Sequence, residues 1–307
     1  MALGLCCQWL ETTPKGVKNI LVSRTLQLGR YRKGEYDADK IYGTYLANVQ
    51  NLNDVFPKIV AANIKSFRFS SSLFPLFDLV DRNLWDNGTI KQLLKSIGDQ
   101  AHSHNIRLTT HPGQFCVLSS DNQQTVLNSI VEIEMHAWIM DQMGLEQNPY
   151  YSINVHGGKA AVEDQLISGV MKLNESARNR LTLENCEFAY AVTHLMDVYQ
   201  ATKVPIVFDS HHHSFNMGGI SGQRAMEAAM STWPVGIRPL THVSNSKPEY
   251  LEYDAPVTRL REHSDMLHTV PVYQFDANNK GAIDIDVEAK QKNHALFHAV
   301  EKLGLLL

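Results

Sequence analysis

What most constrains this chain is an alternation. Short runs of apolar and β-branched residues recur along its 307 residues, each followed by a stretch of helical periodicity. Strands are expected at Ala2–Cys7, Ser66–Ser70, Ile106–Thr110, Tyr151–Val155, Leu181–Leu183, Pro205–Phe208, Ile237–Val243 and Ala282–Val287. Helices are expected near Gly43–Ala62, Ile90–Ser103, Gln123–Met143, Val162–Arg178, Ala189–Ala201, Gln223–Thr232, Val257–His268 and Glu288–Leu303. Eight such units over this length are what a closed (β/α)8 TIM barrel requires. An open, doubly wound sheet is the alternative, and it usually has fewer units. No linker rich in Pro, Gly or Ser divides the sequence and no internal repeat is visible, so residues 1–307 read as a single domain.

Composition narrows the class. With 44% apolar and 20% charged residues the chain is not disordered, and no apolar run reaches the roughly 18 residues a membrane helix needs. Ala2–Cys7 lacks the basic lead and the cleavage site of a signal peptide, so a cytoplasmic protein is expected. The four cysteines, Cys6, Cys7, Cys116 and Cys186, have no metal or redox spacing and read as reduced thiols. A net charge of −4 argues against a uniformly basic surface, but not against a local patch. One such patch is the irregular segment Thr12–Glu35, where Lys15, Lys18, Arg24, Arg30, Arg32 and Lys33 occur with no acid between Pro14 and Gly34. It is either a solvated loop or an arm that tracks a polyanion.

The 14 histidines are placed rather than scattered. In a barrel of this type the C-terminal ends of the strands build the functional face. The third expected strand ends in His111, the fourth in His156, the fifth in Glu184-Asn185 and the sixth in Asp209-Ser210-His211-His212-His213; His242 ends the seventh and Glu288 follows the eighth. A lone buried histidine is usually structural, and His102, His104, His136, His194, His294 and His298 are read that way. Six successive strand ends in register point instead to metal. Imidazoles and carboxylates without cysteine suit Mn²⁺, Zn²⁺ or Fe²⁺. More donors than one tetrahedral zinc can use imply two or three ions, and clusters of that kind act on phosphate esters. His211 and His213 are expected to orient neighbouring ligands.

The strings Phe-Arg-Phe-Ser-Ser-Ser-Leu-Phe-Pro (67–75), His111-Pro-Gly-Gln-Phe, Asn154-Val-His-Gly-Gly, Leu183-Glu-Asn, Phe208-Asp-Ser-His-His, Thr241-His-Val-Ser, His263-Ser-Asp and Asp286-Val-Glu-Ala-Lys-Gln-Lys, in this order, resemble the UV damage endonuclease family over roughly residues 2 to 300. The resemblance implies a TIM barrel similar to endonuclease IV and xylose isomerase, with about three divalent ions, usually Mn²⁺. It also implies an endonuclease that nicks double-stranded DNA 5′ to UV photoproducts. Carried over by position, the metal ligands are His111, His156, Glu184, Asp209, His212, His242, His263 and Glu288. The resemblance alone adds His263 and selects His212 among three consecutive histidines. It also implies that Gln114 and Phe115 enter the duplex at the lesion, where an amide can replace lost base contacts and an aromatic ring can fill the gap. Otherwise Phe115 would read as a core aromatic.

Three positions depart from the family pattern. Leu5 stands where many relatives have tyrosine, Leu79 near where relatives often have a histidine, and Leu240 where many have a lysine that can bridge metals; the step from His242 to His263 is also long. The expected reaction is in-line hydrolysis by a monomer, leaving a 3′-hydroxyl and a 5′-phosphate. Glu184, Glu288 and His111 are at the catalytic centre, Glu184 and Glu288 bridge metals, and Lys159, Lys290 and the basic segment face phosphates. A damaged-DNA binder without nuclease activity and a sugar-isomerase-like metalloenzyme are the alternatives.

Overall fold

The computed structural model describes residues 2–158, 162–253 and 255–307. The barrel strands are β1 (Leu3–Cys6), β4 (Ser66–Phe69), β5 (Arg107–Thr110), β6 (Ile153–His156), β7 (Leu181–Glu184), β8 (Ile206–Asp209), β9 (Leu240–Val243) and β10 (Asp284–Val287). A hairpin of β2 (Leu10–Thr13) and β3 (Gly16–Asn19) interrupts this series. The eight barrel strands close in the order β1-β10-β9-β8-β7-β6-β5-β4, every pairing parallel. This is the TIM barrel the alternation called for.

Side chains alternate across each strand. Leu3, Leu5, Phe67, Phe69, Leu108, Ile153, Val155, Leu183, Ile206, Phe208, Val243 and Ile285 are buried in the main apolar core. The alternate positions carry a polar interior. Gly4 is one of these, and a Cβ there would lie 1.7 Å from Asp286 Oδ1, so only glycine leaves room for that carboxylate. Leu5 is therefore turned away from the interior side. Leu240 packs in a small cluster with Val207 and Trp233, two residues below His242 on β9. At the barrel floor fully buried Arg107 meets Asp284 at 3.2 Å and donates to the carbonyls of Pro149, Tyr150 and Arg238.

Several boundaries differ from the sequence reading, each for a local reason. The first long helix is Ala38–Ala61, because the Asp37 side chain accepts from Lys40 N and starts it five residues early. The expected Val162–Arg178 helix is two, Glu163–Met171 and Glu175–Arg180, the second capped by Asn174. The last helix begins at Lys292, so Glu288 lies on the loop above β10. Val257–His268 is not a helix beyond the turn Val257–Leu260; the helix of that unit is Val272–Asn279, entered through Pro271. The histidine run forms an unanticipated helix, Ser210–Phe215.

The basic segment is ordered rather than loose. Leu10 and Asn293 exchange two hydrogen bonds, Asn48 pins the backbone of Arg24, and a short helix, Leu28–Arg32, carries Tyr31, whose hydroxyl donates to the Leu79 carbonyl. Leu79 is half exposed in the loop after β4. All four cysteines are free. Among the described residues, no helix is long and apolar enough to cross a membrane.

Candidate metal centre

The strand register brings the polar ends together. His156 of β6 pairs with Glu184 of β7, and Asp209 of β8 pairs with His242 of β9. His111 directly follows β5 and Glu288 directly follows β10. Asp209 also caps the Ser210–Phe215 helix, its Oδ1 accepting from His212 N at 2.7 Å. That cap turns the helix so that the His212 ring comes back over β7.

Glu184 is the hub. Its carboxylate lies 3.1 Å from His111 Nε2, 3.2 Å from His212 Nδ1 and 3.1 Å from His242 Nδ1. Three groups of side chains bring donor atoms within 4.8 Å of one another: His111 with His156 and Glu184, Glu184 with Asp209 and His212, and Asp209 with His242 and Glu288. Glu184 and Asp209 each belong to two groups and Glu288 to one. The shared carboxylates are thus Glu184 and Asp209, where the sequence reading had Glu184 and Glu288. His263 stands outside these groups, with Nδ1 3.7 Å from Glu288 Oε2.

The electrostatics follow from burial against charge. Burial would raise Glu184, but His242 and His156, with the hydrogen bond from His111 and the nearby His212 ring, hold it well below the usual carboxylate range. Burial would likewise raise Glu288, and Arg68 followed by His242 overrides it downward. Burial lowers His156 to about 4, so its ring is neutral near pH 7. His242 is raised to about 8: burial, the largest influence, and Arg68 push it down, and the Glu184 and Glu288 carboxylates together outweigh them. His212 is also raised well above its ordinary value, burial being overcome by Asp209 and Glu184.

Several buried atoms here have no hydrogen-bond partner among the described residues: His156 Nδ1, His242 Nδ1, Asp209 Oδ2 and Asp286 Oδ2. His242 Nδ1 is close to Glu184 yet not aligned to donate to it. Buried polar atoms are normally paired, so lone pairs converging without partners fit cations held between imidazole and carboxylate.

Some residues of the site escaped the sequence reading. Asn154 donates to Glu184 and is itself fixed by Thr182 Oγ1 at 3.0 Å. Arg68 pairs with Glu288, lies 3.6 Å from Asp286 and donates to Cys6 Sγ at 2.7 Å. Glu187 reaches His212 Nε2 at 3.7 Å. His211 packs against His263 with ring centroids 5.6 Å apart, whereas His213 stacks on Phe208 and stands apart from the ligand groups.

Gln114 and Phe115 are exposed on the loop above β5; Phe115 is 85% exposed, which removes the core-aromatic reading. Lys290 is exposed, 3.9 Å from Glu262. Lys159 lies outside the described residues.

The model of the family described as UV-endonuclease UvdE matches residues 1–306. The UV DNA damage endonuclease of Nostoc sp. (strain PCC 7120 / SAG 25.82 / UTEX 2576) is 35% identical over 263 residues, covering 83% of this chain and 77% of the relative. That of Bacillus cereus (strain G9842) is 28% identical over 272 residues, 87% of this chain and 84% of the relative. The crystal structure of SacUVDE matches over 100% of both chains with a TM-score of 0.79 at 24% identity. A D-tagatose 3-epimerase-like protein covers 99% of this chain and 96% of that chain with a TM-score of 0.56 at 12% identity. Likeness at these identities concerns the fold, while the family match and the Nostoc relative carry more: the chain belongs to the UvdE family of UV-endonucleases.

Proposed function

We propose that this barrel nicks double-stranded DNA on the 5′ side of UV photoproducts, cyclobutane pyrimidine dimers and 6-4 photoproducts, leaving a 3′-hydroxyl and a 5′-phosphate. Family membership supports the coarser statement, that the chain is an endonuclease of UV-damage repair. The observation that carries the finer one is the set of three donor groups linked through Glu184 and Asp209 at the mouth of the barrel.

The donor set suits two or three divalent ions, of which Mn²⁺ is our assignment. Such cations supply Lewis acidity, bringing the pKa of a water toward about 7 and offsetting charge on the phosphate and the departing oxygen. The protein's part is to hold and orient. Glu184 and Asp209 would each face two ions; His111 and His156, His212, and His242 with Glu288 would complete the three sets, and His263 would add to Glu288. Arg68 fixes Glu288 from below, and Asn154 fixes Glu184. Gln114 and Phe115 would enter the duplex where a photoproduct has already weakened pairing and stacking, which lowers the cost of extruding its bases. Lys290, Lys159 and the basic segment are the proposed phosphate contacts.

A binder without nuclease activity was suggested by the three leucines. Leu5 lies in the apolar core and Leu240 packs with Val207 and Trp233, and the three donor groups come together without either position. The test is nicking of UV-irradiated plasmid. Glu288→Gln is expected to abolish it in a protein that still folds, and full nicking by that variant would sink the proposal.

A further inference from the structure

The loops above β7 and β9 meet in a contact that the reaction as described does not use. Phe188, one residue beyond Glu187, is 66% exposed. Its ring is covered by the Arg261 guanidinium, 3.8 Å from the ring centroid, and Arg261 is also 5.6 Å from the centroid of Phe215. The Arg261 Nη2 donates to the Glu187 carbonyl at 3.3 Å, while its Nε is buried with no partner among the described residues. The Arg261 carbonyl in turn lies 3.4 Å from His211 Nε2. An aromatic ring left largely to solvent contributes little to the fold, yet this one is clamped from a second loop.

Its position is informative. Glu187 touches His212, and His263, two residues beyond Arg261, touches Glu288, so the ring and its guanidinium span the rim between two parts of the metal centre. Phe115 projects from the loop above β5, with β6 between the two aromatic loops. A rigid, cation-backed π face beside a phosphodiester-cutting centre suits a flat, uncharged aromatic ligand, and in DNA that ligand is a base whose stacking partner has been lost. Stacking on aromatic side chains is sequence-tolerant, because every base offers a π face.

We propose that Phe188, held by Arg261, is a stacking platform for a base displaced from the duplex beside the cleavage point; this rests on the reading of the chain as a photoproduct nuclease. Phe115 would occupy the gap, and Phe188 would receive what leaves it. Arg261 then acts as a positioning residue that fixes the ring rather than as a phosphate contact, since its guanidinium is committed to two rings and a carbonyl.

The experiment is fluorescence anisotropy of chelator-treated full-length protein on two duplexes, one with a single cyclobutane dimer and one undamaged. Phe188→Ala is expected to weaken binding to the damaged duplex by roughly ten-fold or more, in the range lost base–aromatic stacks give, and Phe188→Trp to preserve it. Arg261→Ala should weaken the same binding while leaving the dependence on salt concentration unchanged. Loss of about one unit of salt slope would make it a phosphate contact and overturn its positioning role. If wild type prefers the damaged duplex and Phe188→Ala matches it within two-fold, with unchanged melting temperatures, the platform is overturned alone. If wild type shows no preference, the photoproduct reading falls and the platform with it.

Discussion

Glu184 gathers the candidate site around one carboxylate, 1% exposed and facing His111, His212 and His242 at 3.1 to 3.2 Å. Asn154 sets its orientation from the neighbouring strand. Partners that orient metal ligands usually matter about 10–100-fold in affinity, so Asn154→Ala is expected to weaken Mn²⁺ binding by that factor with the fold intact, as isothermal titration would read. Protons compete for the same atoms. In the metal-free protein the raised pKa of His242, about 8 against 6.5, gives stability that is fully present below pH 6.5 and is lost as pH rises through about 8. A metal ligand must be neutral, so cation uptake at pH 7 should release protons from His242 and His212, and affinity should climb as pH rises through about 8. Identical calorimetric enthalpies in buffers of different ionisation enthalpy would exclude that release. Strand-end residues such as His156, Asp209 and His242 were legible from sequence because a strand's end has a defined address in a barrel. Asn154, Arg68 and Asp286 were not: their importance arises only when closure turns them toward the interior.

Elements show the same division. The barrel strands could be read because their outward positions are apolar and β-rich, so the alternation survives any uncertainty at the edges. The segment after β9 could not. Residues 257–268 have helical periodicity, but Asn245 accepts from His268 N and Thr269 N and holds the chain in an extended loop, a contact across more than twenty positions that no local pattern contains. That loop brings His263 within 3.7 Å of Glu288, which is why strand-end reasoning did not single it out. The barrel floor was likewise hidden, since Arg107 looks like an ordinary strand residue until Asp284 is brought beneath it. Removing one partner of a fully buried ion pair leaves an uncompensated charge, and Asp284→Ala is expected to cost about 3–5 kcal/mol in denaturant unfolding. A loss under 1 kcal/mol would mean that the carbonyls around Arg107 suffice alone.

At the scale of the whole molecule the proposed metal centre would also be a fastening. Its proposed ligands come from β6, β7, β8 and β9, the residues that follow β5 and β10, and the loops above β8 and β9, so the ions would tie together more than half of the barrel's circumference. Without them Glu184, Asp209, Asp286 and Glu288 lie close together with Arg68 as the nearby guanidinium, and part of the net charge of −4 sits in this one face. Ligands that bind only the folded state stabilise it by mass action, about 2.7 kcal/mol at a hundred-fold excess over the dissociation constant. For a domain of this size that corresponds to a melting shift of roughly 5 °C. Chelation should therefore lower the melting temperature by about that amount, and readdition of Mn²⁺ should restore it in a concentration-dependent way. Elemental analysis of protein purified without chelator should find two or three equivalents of manganese. Glu184→Gln, which weakens the carboxylate shared by two donor groups, should lose most of the Mn²⁺-dependent shift; a variant that kept the whole shift would place the stabilising ion elsewhere on the molecule.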